Sequence, residues 1–90
     1  MSGWACDRFD SWYRWVDECQ SIRLKAYRFY LLRPRDEIDT CVAEVEVDGT
    51  VICSLNFCKS MDSAMSSAET LLTTYADRIN KAVEAMKTVT

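Results

Sequence analysis

The side chains of this sequence that could do chemistry are carboxylates and thiols, and neither set comes with the partner it would need. Glu44 and Glu46 sit two residues apart, so on a strand they share one face about 7 Å apart, a spacing that could serve paired carboxylates in acid–base work. No glycine-rich turn or pocket-forming loop accompanies them, and alternating glutamates are ordinary on exposed strands. The thiols are Cys6, Cys19, Cys41, Cys53 and Cys58, an odd number with no CxxC and no zinc-ribbon spacing. The 90 residues contain no histidine. That removes the usual general base near neutral pH and the commonest metal ligand, and with them Cys–His and Ser–His nucleophile pairs and mixed Cys/His zinc sites. The cysteines therefore read as buried free thiols behaving as small apolar residues. The expected catalytic, cofactor-binding and metal-ligating sets are empty, and the expected activity is binding, without enzymatic chemistry.

The elements that would position these residues belong to one domain, 1–90. The chain is 49% hydrophobic and 28% charged, with 2 glycines and 1 proline, in a length that supports a single core. No basic segment followed by an apolar stretch opens it, and the longest uncharged run, Gly49 to Cys58, is far short of a membrane span. A soluble, cytoplasmic protein is expected. The net charge of -3 argues against direct nucleic-acid binding, which normally uses a basic face. The charge is also segregated: residues 22–35 carry Arg23, Lys25, Arg28, Arg33 and Arg35 and no acid, while 36–58 carry Asp36, Glu37, Asp39, Glu44, Glu46 and Asp48 and no base.

Ala5, Phe9, Trp12, Val16 and Cys19 recur at steps of three and four, with Asp7, Asp10, Arg14, Asp17 and Glu18 opposite, which predicts an amphipathic helix over about 3–20 capped by Ser2. From Ile22 the period changes to two. Strands are expected over about 22–33, 40–47 and 50–58. The parity rule for hairpins favours a three-residue loop Val47-Asp48-Gly49, pairing Val45 with Val51, Ala43 with Cys53 and Cys41 with Leu55. The preceding hairpin pairs Leu31 with Val42, Phe29 with Glu44, Tyr27 with Glu46 and Lys25 with Asp48, turning the charge segregation into cross-strand attraction. After a cap at Ser60 or Ser63, Met61, Met65, Ala68, Leu72, Tyr75, Ile79, Ala82, Met86 and Val89 step by four and three without interruption. That predicts a helix over about 61–88, roughly 42 Å long, whose last turns around Val83, Met86 and Val89 overhang the sheet.

The expected fold class is α+β in the order α-β-β-β-α, a three-stranded antiparallel sheet with both helices packed on one face. The other face is then bare. It carries Tyr27, Phe29, Leu31, Val42 and Ile52 among Arg23, Lys25, Arg33, Glu44 and Glu46, an apolar centre with a charged rim of the kind protein interfaces use. A second surface is the acidic side of the first helix, Asp7, Asp10, Asp17 and Glu18, bordered by Trp4 and Trp15 as aromatic anchors; it would suit a basic groove on a partner.

The order helix, three-stranded meander, helix resembles the double-stranded RNA-binding domain over almost the whole chain. That family's KKxAK lysine cluster at the start of its last helix is here Lys59-Ser60-Met61-Asp62-Ser63-Ala64, so RNA binding does not carry over. A short, acidic, aromatic-rich domain without a catalytic set looks like the phage-encoded anti-CRISPR proteins. The resemblance implies an inhibitor in the host cytoplasm that blocks a nucleic-acid-binding bacterial defence complex, with acidic residues in its basic channel. The alternative is a homodimeric structural or chaperone-like adaptor joined through the C-terminal helix at Ile79, Val83, Met86 and Val89. Small acidic secretion chaperones also begin helix, meander, helix, then add strands this chain lacks.

Overall fold

The computed structural model describes residues 3–8, 10–32, 34 and 37–88, with the backbone alone at Leu31, Glu37 and Ile38. Strands β1 (Ala5–Arg8), β2 (Ser11–Trp15), β3 (Ile22–Leu32), β4 (Glu37–Val47) and β5 (Thr50–Cys58) precede helix α1 (Met61–Thr88). The strands form one antiparallel sheet in chain order, and α1 lies across β3, β4 and β5. The α+β class stands, but the α-β-β-β-α order does not: among the described residues, five strands and one helix replace three strands and two helices. The likeness to the double-stranded RNA-binding domain and to secretion chaperones rested on the first helix and lapses with it.

The expected N-terminal helix over 3–20 is a β-hairpin that widens the sheet. Trp12, Tyr13 and Trp15 favour a pleated, half-buried surface over a helix, and the chain reverses beside Asp10, whose φ of 41° is left-handed. β2 then alternates: Trp12 and Arg14 lie opposite Ala26 and Leu24, while Ser11, Tyr13 and Trp15 lie opposite Tyr27, Lys25 and Arg23. The predicted cap Ser2 and the stripe residue Phe9 lie outside the described residues, as do Arg33 and Val89.

The core lies between the sheet and the first half of α1. Leu24, Ala26, Ala43, Val45, Cys58, Ala64 and Ala68 form it, and the four alanines are fully buried. Small side chains on both layers let the helix sit close to the sheet, and a ring of larger groups, including Trp4, Ile22, Met65, Leu71 and Leu72, closes the margin. The Ser60 hydroxyl accepts from the Ser63 amide and caps the helix. One Glu69 carboxylate oxygen accepts from both Trp4 Nε1 at 3.2 Å and Arg14 at 3.1 Å, tying α1 to the N-terminal hairpin.

The hairpin registers differ from expectation. β3 and β4 pair Arg23 with Glu46, Lys25 with Glu44, Tyr27 with Val42 and Phe29 with Thr40. The expected faces are kept, but every partner of β3 moves by four residues along β4. β4 and β5 meet in a two-residue turn, Val47 opposite Thr50, with Asp48 and Gly49 at φ of 51° and 82°. This is the arrangement whose twist suits a tight hairpin, so the three-residue loop is overturned. Irregularities opposite Val45–Glu46 and Cys41–Ala43 then restore apolar pairing, with Val45 beside Cys53 and Ala43 beside Leu55.

Candidate protein-binding face

Both irregularities in β5 change what the uncovered sheet face displays. The turn places Val51 opposite Glu46, and the first irregularity then leaves Ile52 without an opposing residue. Ile52, expected on the bare face, instead packs half-buried against the core. In the second, Asn56 and Phe57 fall between the pairs Ala43–Leu55 and Cys41–Cys58, so two residues oppose Val42. Phe57 takes a φ of 63°, a left-handed backbone that is a clear outlier for an aromatic residue. Its ring is 75% exposed and, with Tyr27, Phe29, Thr40, Val42 and Asn56, lines a groove of about 280 Å³. Strict alternation from Val51, Cys53 and Leu55 puts Phe57 on the core side, and no turn residue marks the bulge in the sequence.

A charged strip borders the groove. Glu46, 8% exposed, accepts from Arg23 at 2.6 Å and lies 3.5 Å from Lys25. Glu44 accepts the Tyr27 hydroxyl at 2.8 Å. Burial first, and then this bond to the Glu44 carboxylate, pushes Tyr27 up to about 12. Arg23 lies 5.3 Å from the centre of the Trp15 ring, and Lys25 lies 5.8 Å from that of Tyr27. Of the segregated charges, Arg23 and Lys25 thus pair with Glu46 across β3 and β4, and Arg28 pairs with Asp39. Glu46 holds Arg23 and Lys25, and Glu44 holds the Tyr27 hydroxyl.

The second expected surface is not assembled. Asp7 is exposed on the edge strand β1, Asp10 stands in the turn 3.7 Å from Arg28, and Glu18 is exposed in the β2–β3 connection. Asp17 turns inward to its own loop, accepting from the Ser21 amide and hydroxyl and from the Ile22 amide at 2.9 Å. These bonds, led by the Ser21 hydroxyl, hold its carboxyl below the usual range. Trp4 belongs to the helix side through Glu69, whereas Trp15 lies with Arg23 on the open face. The acidic stripe was a property of the helix, and it disappears when the segment becomes a hairpin. Leu31 occupies the open-face register opposite Ile38.

A polar cavity of about 300 Å³ lies at the same end of the sheet as the groove, shares Thr40 with it, and is lined by Asp10, Arg28, Asp39, Cys41, Cys58 and Lys59, among others. Arg28 donates to Asp39 at 2.7 Å, which holds the Asp39 carboxyl low and the guanidinium firmly charged. Burial, with Cys58 alongside, pushes the Cys41 thiol up, the reverse of the activation a cysteine nucleophile requires. Cys58 is buried and Cys41 and Cys53 are half-buried, but Cys6 and Cys19 are exposed, contrary to the expectation of buried thiols. Among the described residues, no group of three or more histidine, cysteine or acidic side chains could hold a metal ion, and no helix is long and apolar enough to cross a membrane.

No family model, no curated protein and no solved structure matches this chain.

Proposed function

We propose that this chain acts by stoichiometric binding to another protein through the open sheet face, with Phe57, Phe29, Tyr27 and Val42 receiving an apolar side chain of the partner. The observation that carries the reading is Phe57. A left-handed backbone is unfavourable for a phenylalanine by about 1–2 kcal/mol, yet here it holds a large aromatic ring in water, 75% exposed, at the mouth of a groove. Strain that lifts an apolar group into solvent is of no use to folding and is useful to a docking site.

The finer reading is an inhibitor of anti-CRISPR type that blocks a bacterial nucleic-acid-binding defence complex. Carboxylates entering a basic channel no longer support it, because Glu44 and Glu46 are engaged within the sheet and the acids of residues 7–18 are dispersed. Its support is the aromatic face on a small chain of net charge -3. The chain is expressed in bacteria carrying individual CRISPR–Cas systems, and phage plating is counted. The wild-type chain is expected to restore plating against at least one system, and Phe29→Asp, altering a ring 43% exposed, is expected to abolish the effect without unfolding the protein. Failure to restore plating against any system contradicts the inhibitor reading, and a Phe29→Asp chain as active as wild type contradicts the face.

A further inference from the structure

We infer that the C-terminal half of α1 is a homodimer seam, covered by a second copy of this chain packed antiparallel to it. The inference is independent of the open-face reading, because it rests on a different surface.

The overhang of α1 is its starting point. The helix residues buried or packed on the core run from Met61 to Leu72, whereas α1 continues to Thr88. Ile79 and Met86 are 45% and 69% exposed. The molecule is 58 Å long with a radius of gyration of 15.7 Å, against roughly 12 Å for a compact domain of this length.

Surface area sets the size of what is missing. A compact monomer of 10.4 kDa exposes roughly 5,400 Å², and this chain exposes 6841 Å². The excess over the whole molecule is on the order of 1,400 Å², large enough to contain both the open sheet face and the roughly 800 Å² each partner contributes to a stable interface. A closed contact between identical chains further requires a self-complementary patch, and the helix supplies one. Leu72, Ile79 and Met86 recur every seven residues, with Tyr75 and Ala82 between them. Run antiparallel, the stripe sets Ile79 opposite Ala82 of the second copy and Tyr75 opposite Met86, so that large side chains meet small or flexible ones. Val83 and Ala76 flank this line, while Asp77 with Lys81 and Glu84 with Lys87 form ion pairs within the same helix.

Light scattering after size exclusion tests the seam on the full chain. Wild type is expected at twice 10.4 kDa. Ile79→Lys and Met86→Lys are expected to weaken the dimer about tenfold or more with unchanged circular dichroism, since neither side chain is part of the core. Phe29→Asp is expected to remain a dimer. A wild-type monomer at every concentration, or a dimer that survives both lysine substitutions, overturns the inference. A dimer broken only by Phe29→Asp would place the second copy on the sheet face and overturns it as well.

Discussion

Among individual residues, Tyr27 and Phe57 stand on the same face in opposite conditions, one satisfied and one strained. The half-buried Tyr27 donates its hydroxyl to Glu44, and its ionisation is pushed up to about 12 from 10.0. Because the folded state keeps this proton more tightly than the unfolded chain, the associated stability is complete below pH 10 and is lost as pH rises towards 12. Urea midpoints measured from pH 9 to 11.5 should therefore fall more steeply for wild type than for Tyr27→Phe. Equal slopes would show that the bond to Glu44 is not maintained in solution.

The elements show how far periodicity reaches and where it stops. Alternation from Ile22 onward identified β3, β4 and β5, and the unbroken run of threes and fours identified α1 almost to the residue. Residues 4–19 carry both signals at once, because Trp12, Val16 and Cys19 fit a helical stripe while Ser11, Tyr13 and Trp15 fit one face of a strand. Pairing with β3 decides between them, and pairing is a tertiary fact that a local pattern does not contain. The shift to Phe57 has the same origin: a bulge changes which face a residue occupies without changing its neighbours in the chain. Of the expected open face, Tyr27, Phe29, Val42, Glu44 and Glu46 were legible, whereas Ile52 was misplaced and Phe57 was not foreseen. The close contact of α1 with the sheet also carries a prediction. Ala68 is fully buried, so Ala68→Leu has no space to fill and should destabilise the fold by about 1–3 kcal/mol in urea titration. A neutral substitution would mean that the helix stands further from the sheet.

The whole molecule has a small core and a large uncovered surface. Leu24 and Val45 are its largest fully buried side chains, while Phe29, Tyr30, Leu32, Phe57 and Met86 stand in solvent. On the open face Arg23 and Lys25 are engaged with Glu46, and two apolar surfaces stand uncovered: an aromatic groove on that face and a helical stripe beyond the sheet edge. A dimer through α1 would leave the sheet face of each copy free. The most direct measurement of the binding claim is phage plating in cells expressing Phe57→Asn, read beside the urea midpoint of the same variant. Asparagine accepts the left-handed backbone, and little buried area is lost with a ring 75% exposed. The variant is predicted to be as stable as wild type or up to about 1 kcal/mol more stable, yet to lose the restoration of plating. A variant that blocks defence as well as wild type, or that folds less stably, would contradict the assignment of Phe57 to binding.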